Sequence, residues 1–274
     1  MGYKNMIKNN AGDIHTTEEA SCVIHHSNGD ACEAEDVVIA EHFMEISVNG
    51  KPLARLSCTP DKLSELVIGR LYTERVIDSA EDIEKLFICG QGKLAEVTLK
   101  KDIEFAEWNE AEPTCCTGNK QYLSSGCKRK LEPITETVPK PEYVFELIKY
   151  FQNDSKLHVS TGGTHSAYIR TAAGDIFSFE DISRHNALDK AVGHILINGL
   201  NPKECMLYTS GRIAADMAIK AIAAGIPILV SKAAPTSEAL KLAKQYKLSI
   251  IGKAWPDSYV RYLSKSGDEK TSST

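Results

Sequence analysis

Two groups of residues in this 274-residue sequence are suited to chemistry: a cysteine in a basic run, and three loops rich in small residues and cations. Cys127 stands in "SSGCKRK", followed by Lys128, Arg129 and Lys130. Neighbouring cations favour thiolate over thiol, and the thiolate or persulfide anion is the species that carries sulfur. The same run also reads as a solvated basic loop holding an incidental cysteine. Cys115 and Cys116 lie in the same stretch. Adjacent cysteines rarely bridge each other, so they read as accessory thiols rather than a disulfide.

The second group lies in the final third. Thr209-Ser210-Gly211-Arg212, Lys232 to Ser237 and Lys253-Ala254-Trp255-Pro256-Asp257-Ser258 each follow a short apolar run. Two of these loops lead into helices, whose first N–H groups favour anions. Arg212 and Lys232 add charge suited to phosphate, and Trp255 an aromatic face for a base. The alternative is that "SGR" merely turns a corner. His185, in "SRHNALDKAVG", is accompanied by Asn186, Asp189 and Lys190, a set that also reads as a helix-capping cluster. "STGGTHSA" (160–167) puts two glycines before a histidine, suiting either close approach to a ligand or a tight turn. Cys22, His25, His26 and Cys32 have a zinc-like spacing, but within an unpatterned polar stretch, and no permanently bound metal is expected. Cys58, Cys89 and Cys205 sit in apolar runs and read as small core residues.

These groups need elements to position them. "CMLYTS", "IPILVS" and "LSIIGKA" read as strands. Between them lie the helix "IAADMAIKAIAA", ended by Gly225, and the helix "SEALKLAKQY", capped by Thr236. That alternation predicts a parallel sheet with right-handed crossovers, whose carboxyl-end loops gather on one edge. Upstream, a hairpin is expected at "TAAGD" (171–175), and helices near 143–151 and 186–198. Residues 37–132 are mixed. They contain a hairpin turning at Asn49-Gly50, and a helix opened by Thr59 as cap and Pro60 at its first position. "KLFICGQGKLAEVTL" reads as a second hairpin, and 105–130 as a long loop. The expected layout is a flexible arm (1–36), a smaller α+β domain ending in the cysteine-bearing loop (37–132), a three-layer α/β domain (133–264) and a flexible tail (265–274).

Composition narrows the function. Hydrophobic residues make up 42% and charged residues 25%, with a formal net charge of −5. Such a chain buries a core and is not built to coat nucleic acid or an anionic membrane. No export signal or membrane-length apolar run is visible, so the eight cysteines read as reduced thiols in the cytoplasm.

Several long blocks resemble the formate dehydrogenase accessory sulfurtransferases of the FdhD/NarQ type. They are "VNGKP", "TPDKLSELVIGRLYTERVI", "STGGTHSAYI", "DISRHNALDKAVG" and the run from "SGRIAADMAIK" to "SIIGKA". The resemblance spans roughly Val37 to Tyr262. It implies a C-terminal domain similar to the cytidine-deaminase fold, although the zinc motifs of deaminases are missing here. It also implies a persulfide on Cys127, supplied by a cysteine desulfurase. That sulfur passes to the molybdenum bis-guanine-dinucleotide cofactor, bound transiently as substrate, before insertion into the formate dehydrogenase catalytic subunit. Many members carry Cys-x-x-Cys in this loop; here Lys130 takes the second position, leaving open whether Cys115 or Cys116 substitutes. The cofactor-binding set implied is Lys253, Ala254, Trp255, Pro256, Asp257 and Ser258, with Gly211, Arg212 and His185. Two guanine halves per cofactor suggest a homodimer. The alternative from another class is a chaperone that binds the cofactor or a guanine nucleotide without moving sulfur.

Overall fold

The computed structural model describes residues 6–102, 112–113, 120–121 and 130–263. Cys115, Cys116, Cys127, Lys128 and Arg129, and the tail from residue 264, lie outside the described residues.

The first half contains β1 (Ile7–Asn9), β2 (Thr17–His25), β3 (Ala31–Ile39), β4 (His42–Val48), β5 (Lys51–Cys58), helix α1 (Leu63–Thr73), β6 (Ile83–Ile88), β7 (Leu94–Leu99), β8 (Glu112–Pro113) and β9 (Lys120–Gln121). Seven of these strands form one sheet in the order β1-β6-β7-β4-β5-β9-β8. Period-two patterning decides which face is buried: Met44, Ile46 and Val48 point inward while Phe43 and Glu45 face solvent. Asn49 (φ 49°) and Gly50 (φ 75°) turn the β4–β5 hairpin, both in the left-handed region that the turn requires. Helix α1 closes this core with Leu63, Leu66, Val67 and Leu71.

Two features differ from the sequence reading. Where residues 1–36 read as an unpatterned arm, β1 joins the first sheet, and β2 and β3 form a two-stranded ribbon of their own. The ribbon exposes both faces, Val23 by 54%, so no apolar alternation marks it in the sequence. Thr59 does not cap α1, which starts at Leu63 behind Lys62. Its N–H instead donates to Asp181 Oδ2 (3.1 Å), and its hydroxyl accepts from the Ile182 N–H (3.2 Å). A partner more than 120 residues away outcompetes the local cap.

The second half runs α2 (Pro141–Asp154), α3 (Lys156–Thr161), β10 (His165–Arg170), β11 (Ile176–Asp181), α4 (Arg184–Ile197), β12 (Met206–Thr209), α5 (Ala215–Ala224), β13 (Ile228–Ser231), α6 (Ser237–Tyr246), β14 (Ser249–Gly252) and β15 (Val260–Tyr262). The sheet order is β11-β10-β12-β13-β14-β15. Strands β12, β13 and β14 are parallel, as the strand–helix alternation predicts; β10, β11 and β15 extend the sheet antiparallel. The central strands β10, β12, β13 and β14 carry apolar side chains on both faces. Ala167, Ile169, Leu207, Leu229 and Ile250 pack against α4, α5 and α6, while Tyr168, Met206, Tyr208, Val230 and Ile251 pack against α2.

The halves meet where α1 crosses α4. A Cβ built on Gly69 falls 1.7 Å from the Asp189 carbonyl oxygen, and one on Gly193 falls 1.9 Å from that of Glu65. These glycines let the helix backbones touch. Around the crossing, buried Asp189 pairs with Lys220 (2.9 Å) and Arg70 (3.5 Å) and accepts the Thr73 hydroxyl (2.6 Å). Among the described residues no helix is long and apolar enough to cross a membrane.

Candidate functional site

The topology brings the expected binding loops to one edge. Parallel β12, β13 and β14 end there at Thr209, Ser231 and Gly252. Because β10 and β11 pair antiparallel, the start of β10 and the end of β11 lie at the same edge. It therefore collects His165, Arg184-His185, Ser210 to Arg212, Lys232 to Thr236 and Lys253 to Ser258.

The loops are laced together by their own polar groups. Ser231 Oγ donates to the Gly211 carbonyl (2.7 Å), and the Ala254 N–H donates to the Ser231 carbonyl (3.1 Å). The Lys253 N–H reaches the Ala233 carbonyl (3.1 Å), and Trp255 and Ser258 close a turn between them. Lys232 Nζ sits 5.4 Å from the Trp255 ring centre and 5.6 Å from that of Phe151. That places a cation beside an exposed indole face. Arg212, Pro256, Asp257 and Ser258 face solvent, whereas Ala254 is buried.

His185 takes a different place from the loop residues. It is buried, and its Nε2 lies 2.6 Å from Asp216 Oδ2 at the first turn of α5. Arg184 lies alongside, Nη2 3.7 Å from the same oxygen, with its stem packed on Gly211. Burial pushes the Asp216 carboxyl up, but the hydrogen bond and charge of His185, the Met217 N–H and Arg184 outweigh it and hold the group at about 2. Nothing in the sequence singles out Asp216, for a plain reason: it is 31 residues from its partner, and only the fold joins them.

A pH dependence follows. A carboxyl with a folded-state pKa below its ordinary value of 3.8 contributes stability above about pH 4, lost as pH falls towards 2. The urea-midpoint gap between wild type and Asp216→Asn should be open at pH 6 and narrow steadily below pH 4. A gap independent of pH would rule out the charge contribution. Asp216 is 42% exposed, so the effect is modest.

Cys58 and Cys205 are buried, and burial pushes both thiols up, Cys205 to about 11. Cys89, read as a core residue, is only partly covered and sits where β6 leaves for the turn to β7. Burial pushes its thiol up, but backbone N–H groups of Gln91, Leu94, Lys93 and Gly92 outweigh that and bring it below the usual thiol range. Cys22 and Cys32 lie on the β2–β3 ribbon, Cys32 Sγ 3.9 Å from His26 Nε2. Lys130 is exposed.

These features define a mixed α/β protein whose strand ends present cations and an aromatic face along one edge. The FdhD/NarQ family matches residues 39–266, and the chain belongs to it. Among curated relatives, the sulfur carrier protein FdhD of Halalkalibacterium halodurans is 34% identical over 225 residues, 80% of this chain and 83% of its own. That of Bacillus subtilis is 30% identical over 231 residues, 83% of this chain and 88% of its own. A crystal structure of a putative formate dehydrogenase accessory protein from Desulfotalea psychrophila shares the fold. Its TM-score is 0.74 at 22% identity, over 92% of this chain and 98% of that one.

Proposed function

We propose that this chain is a sulfur carrier required for formate dehydrogenase activity. Cys127 receives sulfur from a cysteine desulfurase and passes it to the molybdenum bis-guanine-dinucleotide cofactor before that cofactor enters the catalytic subunit. The observation that carries this reading is membership of the FdhD/NarQ family over residues 39–266, with relatives named as sulfur carriers. The loading step is thiolate exchange: Cys127 thiolate attacks the terminal sulfur of the desulfurase persulfide. A new S–S bond forms on Cys127, the donor's S–S bond breaks, and the donor cysteine leaves as thiolate. The strand-end edge supports the second half, since Lys232, Arg212 and Lys253 suit phosphates and Trp255 suits a purine. The carrier acts as a cytoplasmic homodimer in this reading.

Lys130 in place of a second loop cysteine favours a rival, a chaperone that binds the cofactor or a guanine nucleotide without carrying sulfur. Mass spectrometry after incubation with a desulfurase and cysteine separates the two. A carrier gains sulfur on the Cys127 peptide, and Cys127→Ala gains none there and fails to support formate dehydrogenase. Calorimetry should show GTP binding more tightly than ATP. Wild-type dehydrogenase activity in cells relying on Cys127→Ala would end the carrier reading.

A further inference from the structure

We propose that His165, Arg184 and Ser210 form a diphosphate-binding subsite at the carboxyl end of β12. The proposal deepens the nucleotide reading of this edge and rests on it for the identity of the natural ligand.

The geometry starts from Arg184. Its side chain is held beside the strand-end loop because the stem packs on Gly211, where a Cβ would fall 2.9 Å from Arg184 Cδ. Its Nε is buried and finds no hydrogen-bond partner among the described residues. Its Nη2 stays 3.7 Å from Asp216, beyond hydrogen-bond distance. Asp216 is meanwhile engaged by His185 at 2.6 Å and by the Met217 N–H at 2.7 Å. The carboxylate is thus occupied elsewhere, and a guanidinium with donors to spare faces the edge. Such a fork matches the paired oxygens of a phosphate.

His165 and Ser210 supply the other wall. The two strands are tied at this point, because the Ser166 N–H donates to Ser210 Oγ (2.9 Å) and the Ser210 N–H donates to the Ser166 carbonyl (2.9 Å). His165 Nδ1 lies 3.4 Å from Ser210 Oγ. With Oγ already accepting from Ser166, its own proton is free to go to Nδ1, which leaves Nε2–H as the outward donor of a neutral ring. A second proton on the ring would reverse that bond. Nδ1–H would donate to Ser210, releasing the hydroxyl proton towards an anion. Protonation therefore adds one donor to the subsite, the Ser210 hydroxyl, and a positive charge on the ring.

The surroundings keep the ring neutral until an anion arrives. Burial lowers the His165 pKa first, and the charges of Arg184, His158 and His185 lower it further. The charged groups that act on it are His158 from α3 and Arg184 and His185 from α4, and the carboxylate of Asp216 on α5 is held by His185 and lies 3.7 Å from Arg184. An anion seated between Arg184 and His165 replaces repulsion by attraction, so the His165 pKa must rise on binding.

The test is histidine titration by NMR on the full chain, alone and with saturating sulfate or inorganic pyrophosphate. Sulfate does not titrate in this range, so any movement it causes belongs to the protein. The expected result is a His165 pKa raised by about one unit or more with either anion. Arg184→Gln should weaken pyrophosphate binding about tenfold or more, and Arg184→Lys should recover part of it. His165→Gln, a milder change at a half-exposed position, should bind pyrophosphate with little pH dependence. A His165 pKa indifferent to both anions would overturn the subsite, as would undiminished binding by a folded Arg184→Gln protein. The subsite and the guanine reading fail separately. Equal GTP and ATP binding with the His165 shift intact removes guanine preference alone. A GTP preference without the shift removes the subsite alone.

Discussion

Gly193→Ala should be among the most damaging single-methyl changes in this protein, and Gly69→Ala its equal. At both positions the added carbon would sit within 2 Å of a carbonyl oxygen of the opposing helix, 1.9 Å from Glu65 and 1.7 Å from Asp189. Alanine is favoured over glycine inside a helix by about 1 kcal/mol, so propensity argues for stabilisation. Sterics argue the other way and win, because the obstacle is backbone and cannot swing aside. The helices must part by more than 1 Å. That would loosen the apolar packing between them and the buried Asp189–Lys220–Arg70 group beneath the crossing. Overpacking a close-packed contact costs roughly 1–3 kcal/mol and strain on the buried charge group adds to it, so even after the propensity gain of about 1 kcal/mol a net loss of about 3 kcal/mol is expected. For a chain of this size that lowers the melting temperature by roughly 6–12 °C. Gly12→Ala is the control, since nothing lies within 4 Å of its added carbon. A Gly193→Ala protein melting with the Gly12→Ala control would mean the helices do not cross at this distance.

The second large effect belongs to Lys190→Met. Lys190 is fully buried, with Nζ 2.8 Å from Asp181 Oδ2, beside Asp61 and bonded to the Thr59 and Glu180 carbonyls. Burial lowers its pKa, but the carboxylates of Asp181 and Asp61 outweigh that, so it stays protonated beyond the ordinary lysine range. Asp181 is equally buried, which pushes its carboxyl up. Lys190, the Ser183 N–H (3.0 Å), Asn186 Nδ2 (3.0 Å) and the Thr59 N–H (3.1 Å) pull the other way. Four donors on one carboxyl match the ionised form, which only accepts. Removing the lysine strands that charge in the interior, and breaking such a pair costs about 3–5 kcal/mol.

The pH dependence carries the sign. In wild type the raised Lys190 pKa contributes stability that is complete below about pH 10.5 and fades only as pH climbs through the folded value. Burial already holds the Asp181 pKa above 3.8 in wild type, and losing the lysine's charge in Lys190→Met raises it further, so the added penalty is full at neutral pH and relieved as pH falls towards 4. The variant's deficit in urea unfolding should therefore shrink between pH 7 and 4, and Lys190→Met with Asp181→Asn should recover part of it at pH 7. A deficit that is constant with pH would assign the loss to packing alone.

What the sequence determined by itself is whatever a few neighbouring residues decide. Asn49-Gly50 specifies a hairpin because both positions adopt positive φ at little cost. Thr236 caps α6, accepting the Ala239 N–H at 3.3 Å, because an N-cap hydroxyl lies within reach of its own helix. The run from Met206 to Gly252 alternates strand and helix, so right-handed crossovers leave few arrangements, and the loops expected at one edge are found there. The three basic neighbours of Cys127 suit a thiolate and a solvated loop equally, so the family resemblance is what singles it out, and it lies outside the described residues. Tertiary structure decided the rest, wherever a partner far along the chain outbids a local one. Thr59 gives up the cap of α1 for Asp181 and Ile182, and Cys89 leaves the core for a turn. His185 turns inward to Asp216, freeing Arg184 for the edge. Gly69 and Gly193 carry no signal in the sequence and become the contact between two helices in space. The physical reason is common to all of these. Turn geometry and capping act within about four residues, whereas buried charge and backbone contact are paired only after the two halves have packed.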